Sequence, residues 1–482
     1  EIMTERSNAR TKILCTLGTA TSDYDTIVKL VRAGADGFRL NFSHGNKEFF
    51  DNLFEVLDKV RTDTDTYLSL LIDLQGPKIR IGELETPTLQ INTGETITIT
   101  NEPVLGTKDL IQCSYQFLPN DASPGDRILI DDGLIQLRVE SIEGSQVVCR
   151  IEAGGILKPR KGMNLPGMNI TAPSITEKDY EQLRQHLHRK IDFIALSFVR
   201  SAKDIIALKD FLKENNRDIR VIAKIEKKEA LEDLEDIIMA SDGIMIARGD
   251  LGVELEPQFV PIAQKQIIKR CNALGKLVIT ATQMLESMIS NPMPTRAEAS
   301  DVANAVLDGT DVVMLSGETA VGKYPALTVE TMNKIIMFAE SANLKTPITE
   351  TVYPQIFEKK LFDSINKTVV DLGRQISAAA IIVFTKRGRT ALSVAKFRPT
   401  SKVIAISDSD DTLRYLNLYR SVYPIKNLQV IDQLSTDHSV LETIKPHILE
   451  TGYVNPGDLV IFTMGAPISE KARTSFLSID VL

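Results

Sequence analysis

Val221-Ile-Ala-Lys-Ile-Glu226, the amphipathic stretch Lys228–Ser241 and then Gly243-Ile-Met-Ile-Ala-Arg-Gly-Asp250 form one unit of the pattern that decides the fold. Each short run is almost continuously apolar, as a strand buried on both faces of a parallel sheet must be. Each also ends in charge, at Lys224, Glu226, Arg248 and Asp250. Further strands are expected at Thr11–Leu17, Gly37–Asn41, Tyr67–Asp73, Phe193–Leu196, Leu277–Ala281 and Asp311–Leu315, making eight with Val221–Ile225 and Gly243–Ala247. Helical periodicity separates or follows them at Tyr24–Ala33, Lys47–Arg61, Glu177–His188, Ala202–Glu214, Pro257–Leu274, Arg296–Leu307 and Ala326–Ala342. Eight β/α units in order predict an α/β fold, a (β/α)8 TIM barrel. Polar residues at strand C-termini (Arg39, Asn41, Asp73, Thr282 and Ser316 besides those above) favour it over an open doubly wound sheet.

Two segments break the rhythm. Gly76–Pro173 carries turn signals between short β runs (Thr96–Thr100, Arg127–Ile130, Gln146–Ile151) and predicts an all-β insertion, a lid on the catalytic face. Past a polar Pro/Thr linker at Leu344–Val352, strands Ala380–Phe384, Val403–Ser407 and Asp458–Thr463 predict a separate C-terminal α/β domain. The expected division is 1–75 with 173–345 for the barrel, 76–172 for the lid and 346–482 for the C-terminal domain.

The chain has 482 residues, 43% of them hydrophobic, which excludes a largely disordered protein. A net charge of −8 argues against nucleic-acid binding. No apolar run is long enough to span a bilayer. Glu1–Arg10 is polar and lacks a signal peptide's apolar core, so a cytoplasmic location is expected. Cys15, Cys113, Cys149 and Cys271 are scattered, which disfavours a zinc site and predicts reduced thiols.

The chemistry concentrates at the strand ends. Glu226 and Asp250 end neighbouring strands about 4.8 Å apart, a pairing that suits Mg2+. Lys224 points to the same side as Glu226 and, inside an apolar strand, needs an anion. With Arg39, Arg80, Arg248 and Lys161 it predicts a phosphorylated substrate and phosphoryl transfer. Gly317-Glu-Thr-Ala-Val-Gly-Lys323 imitates a P-loop, but Tyr324 stands where a metal-binding Ser or Thr is required.

At these residues the chain strongly resembles the pyruvate kinase family. The matching stretches are Phe38-Arg-Leu-Asn-Phe-Ser-His-Gly45, Ile72-Asp73 with Gly76-Pro77, Ile225-Glu226, Ile246-Ala-Arg-Gly-Asp-Leu-Gly252, Ala281-Thr-Gln-Met-Leu-Glu-Ser-Met288 and Met314-Leu-Ser-Gly-Glu-Thr319. The resemblance implies transfer of phosphate from phosphoenolpyruvate to ADP, giving pyruvate and ATP, the last step of glycolysis. It implies Glu226 and Asp250 as ligands of Mg2+ or Mn2+, Lys224 as the residue stabilising the phosphoryl group in flight, and Arg39 as a phosphate contact. Thr282 with the backbone at Gly249 is similar to the family's carboxylate-binding corner, and Ser316 to a member of its proton relay. Asn41, His44, Arg80 and Lys161 match nucleotide-side positions, where a second divalent ion arrives with the phosphates.

The family's K+ pocket matches Asn41, Ser43, Asp73 and the carbonyl of Leu74. Many members have a Glu beside it where this chain has Lys78, so the chain resembles the branch that does not require K+. Thr385-Lys-Arg-Gly-Arg-Thr390 resembles the effector loop, which takes a sugar phosphate or AMP and acts through a homotetramer. Two other readings stay open: a non-catalytic homologue that binds sugar phosphates or partners, and another Mg2+-dependent barrel enzyme of pyruvate-enolate chemistry.

Overall fold

The computed structural model describes residues 9–342, 351–355, 357–427, 441–465 and 474–482. The Glu1–Asn8 part of the polar N-terminus and most of the expected Leu344–Val352 linker lie outside them. Eight parallel strands form a closed barrel: β1 (Lys12–Leu17), β2 (Gly37–Asn41), β3 (Ser69–Asp73), β4 (Phe193–Leu196), β5 (Arg220–Ile225), β6 (Gly243–Ala247), β7 (Leu277–Ala281) and β8 (Val312–Leu315). Four match their apolar runs residue for residue; the others begin one or two residues away.

Alternation along the strands sorts the barrel into layers. Ile13, Phe38, Leu40, Ile72, Ile194, Val221, Ile244 and Val313 belong to the apolar layer shared with the surrounding helices. Leu14, Leu71, Ala195, Ile222, Met245, Ile279 and Met314 fill the interior. Two residues further along, the same inward parity delivers Thr16, Asp73, Ser197, Lys224 and Ser316 to the mouth. Local signals fix the helices. Asp23 caps Tyr24–Ala33 by accepting from the Thr26 N–H at 2.9 Å, and left-handed Gly34 ends it.

Three expectations for the barrel's elements need correction. The helix expected over Lys228–Ser241 is two, Lys228–Glu232 and Leu234–Ala240, because the Asp233 carboxylate turns aside to accept from the Ala202 N–H. Pro257–Phe259 is a 3-10 turn and the α-helix begins at Val260. Asp250 does not end a strand: β6 stops at Ala247, and Asp250 sits in the first turn of the short helix Arg248–Glu254.

The insertion is a six-stranded sheet and a two-stranded one (Leu89–Ile91 with Gly155–Leu157) around its own apolar core, with one helical turn, Leu118–Asp121, that an all-β reading missed. In the C-terminal domain four parallel strands and one antiparallel strand form a sheet. Two of them, Val422–Lys426 and Thr474–Val481, were not foreseen; Pro424 is tolerated because Val422–Lys426 is an edge strand.

This domain closes the barrel floor. The interior barrel residues share one apolar cluster with Val383, Val394, Val403, Tyr415 and Leu418. Polar groups at the strand starts are met from the same side. Lys12 Nζ donates to the Val422 carbonyl at 2.8 Å, and Ser69 Oγ donates to the Arg414 carbonyl. Buried Asp192, just before β4, pairs with Arg414 at 3.2 Å and with Arg61 at 3.4 Å. Asp192→Ala takes from two buried guanidiniums the buried carboxylate they share, leaving them the more exposed Asp58 and Asp411, and is expected to cost about 1–3 kcal/mol. Urea unfolding monitored by circular dichroism checks this; an unchanged midpoint would contradict the clasp.

Candidate active site

At the mouth, Arg39 binds Asp73 through Nε (2.8 Å) and Nη2 (2.6 Å), and donates from Nη1 to Thr16 Oγ1 at 3.0 Å. Lys224 Nζ lies 3.2 Å from the other Asp73 oxygen, 2.9 Å from Glu226 Oε1 and 2.9 Å from Ser197 Oγ. Burial works against the charge on Lys224, but Asp73 and Glu226 outweigh it and raise its pKa. Burial likewise opposes the Asp73 charge, yet Lys224 and Arg39 hold that carboxyl below its usual value. The second Glu226 oxygen accepts from the Phe198 N–H at 2.7 Å. Phe198 adopts φ 55°, a strained conformation for a bulky side chain, and it aims the N–H that holds Glu226.

Asp250 completes the acidic side. Burial, and then the neighbouring Glu226 charge, push its pKa up to about 6. Two neighbouring carboxylates, one close enough to raise the pKa of the other, fit a hard divalent cation. Gly249 N–H donates to Thr282 Oγ1 at 2.8 Å, so the two residues of the expected carboxylate corner touch. Arg248, expected to add charge to the mouth, instead donates to the Ala281 and Thr282 carbonyls and pairs with Asp301. It shapes the left-handed turn at Thr282 (φ 70°). Ser316 follows β8; its Oγ is buried and has no hydrogen-bond partner among the described residues.

A cleft of about 270 Å3 opens between this cluster and the lid, lined among others by Lys78, Arg80, Asp131, Lys161, Arg200 and Asp250. Lys78 therefore faces the cleft, where burial and then the Arg80 charge lower its pKa. His44 is lowered by burial and by Lys78, Arg80 and Arg39. Asn41 Oδ1 accepts from the Ser43 N–H at 3.1 Å, and the Leu74 carbonyl accepts from Ser197 Oγ at 2.7 Å. Thr385–Thr390 is not part of this assembly; it lies in the C-terminal domain, where Gly388 caps the helix Arg389–Lys396.

Sequence reasoning missed Thr16, Ser197, Phe198 and Arg200. The first two were accessible, since they continue the inward parity of Leu14 and Ala195. The Phe198 amide and the Arg200 bonds to the Ile170 and Ala172 carbonyls, which tie the lid's returning segment to the barrel, carry no sequence signal.

Residues 8–329 match the family model for the pyruvate kinase barrel domain, and 363–479 match that for the pyruvate kinase alpha/beta domain. The chain belongs to the pyruvate kinase family. Pyruvate kinase of Staphylococcus aureus strain MRSA252 is 41% identical over 476 residues, 98% of this chain and 80% of the relative. That of strain USA300 is 40% identical over the same shares. A crystal structure of a pyruvate kinase from Cryptosporidium parvum superimposes with a TM-score of 0.91 at 33% identity, covering 98% of this chain and 96% of the other. The chain is thus a phosphotransferase of the pyruvate kinase reaction, moving phosphate from phosphoenolpyruvate to ADP. Among the described residues no helix is long and apolar enough to cross a membrane.

The direction of the Asp73 shift sets a pH window. A carboxyl held below its unfolded value, about 3.9, stabilises the fold above that pH and loses the contribution as pH falls through the folded value. The stability gap between the wild type and Asp73→Asn is therefore expected to be full at neutral pH and to shrink below about 4. Urea midpoints from pH 7 down to 3 test it; a gap that widens in acid would contradict the pairing.

Proposed function

We propose that this pyruvate kinase works through the following residues, and that Lys224 carries the assignment. Its ammonium is pinned by three oxygens at the point where β5 opens into the cleft. A cation fixed before the substrate arrives stabilises charge developing on a moving phosphoryl group without reorganising. Arg39, locked by Asp73, supplies a second fixed cation. Glu226 and Asp250 hold the divalent ion, Mg2+ or Mn2+, and each Glu226 oxygen keeps a lone pair beyond its present bond. When bound, that ion supplies Lewis-acid charge to the phosphate and to the enolate oxygen. Thr282 and the backbone at Gly249 bind the substrate carboxylate. Ser316, with its idle buried hydroxyl, passes the proton to the enolate carbon.

Asn41, His44, Arg80 and Lys161 take the nucleotide, with a second divalent ion on its phosphates. The K+ requirement is replaced by Lys78. Its ammonium reaches the cleft within the field of Asp250, and both Asp73 oxygens already hold the chain's own cations. The division into 1–75 with 173–345, 76–172 and 346–482 is supported by separate apolar cores in the lid and the C-terminal domain. A cytoplasmic location is supported by four free, buried cysteines.

A phosphorylated effector, a sugar phosphate or AMP, is proposed at Thr385, Lys386, Arg387, Gly388, Arg389 and Thr390. Contact from this loop to β5 supports it: Tyr415 Oη donates to the Arg387 carbonyl at 2.5 Å, and the Arg220 guanidinium lies 3.0 Å from the centre of the Tyr415 ring. Arg220 begins the strand that ends at Lys224. The homotetramer is supported by exposed Phe259, Ile262, Met293 and Phe338 on the barrel, and by the outer edge strand Thr474–Val481.

Two measurements test the core of this reading. Lys224→Met is expected to lower turnover at least a hundredfold, since one such donor is worth about 2.7–4 kcal/mol, and to lower the unfolding midpoint without abolishing the fold, because Asp73 keeps Arg39 and Glu226 keeps the Phe198 N–H. ATP formed from phosphoenolpyruvate and ADP is the readout, and normal turnover would remove Lys224 from this role. Separately, wild type is expected to turn over fully in buffer free of K+ and Na+, and Lys78→Glu to acquire a K+ requirement. A strong K+ dependence of the wild type would sink the replacement.

A further inference from the structure

Three consecutive residues in the lid, Asp131, Asp132 and Gly133, have left-handed backbones, with φ of 54°, 55° and 88°. They form the turn between the lid strands Arg127–Ile130 and Ile135–Glu143. Hydrogen bonds over-determine the turn: Asp131 N–H donates to the Gly162 carbonyl at 3.0 Å, and Leu134 N–H to the Asp131 carbonyl at 3.1 Å. Asp131 and Lys161 both line the cleft, and Lys161 Nζ lies 2.9 Å from Asp131 Oδ1. Among the described residues this is the one ion pair the ammonium makes.

The backbone of Lys161 is also fixed, since its carbonyl accepts from the Ile81 N–H at 3.0 Å. What remains free is a long, flexible side chain, whose rotamers must be ordered before it can meet an anion. A carboxylate held on a strained turn at the end of that chain orders it in advance.

We propose that Asp131 is a positioning residue for the nucleotide: it holds the Lys161 ammonium in the cleft, directed to the phosphates of ADP. The inference rests on Lys161 being a nucleotide-side cation. Asp131 keeps one side of the ammonium and leaves the other donors to the phosphates, so it acts through Lys161 and touches no reacting atom. Its loss should weaken ADP binding in ground state and transition state alike, raising KM for ADP and sparing kcat.

The test is a double-mutant cycle on the full-length enzyme, with ADP and phosphoenolpyruvate varied separately. Asp131→Asn is chosen because Asn tolerates the left-handed backbone. It is expected to raise KM for ADP about tenfold, leaving kcat and KM for phosphoenolpyruvate unchanged. Asp131→Glu, which restores the charge, should recover part of the loss and serves if the first variant folds poorly. In a Lys161→Met background, Asp131→Asn should add nothing. If Lys161→Met raises KM for ADP but Asp131→Asn does not, or if the two effects add, the positioning role is overturned while the reading of Lys161 stands. If Lys161→Met leaves KM for ADP at the wild-type value, the reading of Lys161 falls and the inference with it.

Discussion

Two cations and three carboxylates share the mouth of the barrel. Arg39 and Lys224 face Asp73, Glu226 and Asp250. Removing such groups from water costs several kcal/mol per ion, and the cost is met only where each charge has partners of good geometry. That constraint explains the arrangement around them. Thr16 takes the spare donor of Arg39, Ser197 bridges Lys224 to the β3 end, and the Phe198 amide takes the spare oxygen of Glu226. Two positive against three negative charges leave one net negative charge, concentrated where Glu226 raises Asp250. A divalent cation held by Glu226 and Asp250, as proposed, would reverse that balance and make the mouth a receptor for phosphate. The chain's overall charge of −8 therefore says nothing about its substrate.

The same constraint reaches the far end of the barrel. A charged cluster needs a dry floor, and the apolar layers of Leu14, Ile222, Ile279 and Met314 supply it. Those layers would meet water at the strand starts if the C-terminal domain did not cover them. The polar inward-facing residues there include Lys12, Ser69 and Arg220, and they are satisfied by Val422, Arg414 and Tyr415. One strand, β5, thus runs from a contact with the C-terminal domain to Lys224 and, just past its end, Glu226 of the candidate site.

The barrel was legible because burial on both faces leaves apolar runs that little else produces, and because charge at their ends is hard to explain as surface. The inward parity that carries Leu14 to Thr16 and Ala195 to Ser197 was equally present. Threonine and serine are too common at strand ends for residue type alone to mark them. Asp250 was found for a partly mistaken reason: the strand ends three residues earlier, and a helical turn brings the carboxylate back beside Glu226. Arg248 shows the limit of counting charges. Its place in the sequence equals that of a phosphate contact, yet Asp301, far along the chain, turns it into a scaffold for Thr282. The edge strand Val422–Lys426 was hidden by Pro424, whose missing N–H matters only in a central strand.

Backbone strain shows which parts of the mouth are held against their local preference. Phe198, Thr282 and Gln283 follow β4 and β7 in left-handed conformations, and Asp131 and Asp132 do so in the lid. Each such residue costs of order 1–3 kcal/mol, so the surroundings must over-determine it. They do: Phe198 N–H is fixed on Glu226, the Thr282 carbonyl on Arg248, and Asp131 on Gly162 and Leu134. A regular continuation of β4 would point this amide away from Glu226, and an untwisted turn after β7 would carry Thr282 away from Gly249. The strain is therefore the geometric condition for placing groups from separate β/α units on one small substrate. It is sustained by the buried ion pairs beneath it, which bring the strand ends together in the first place.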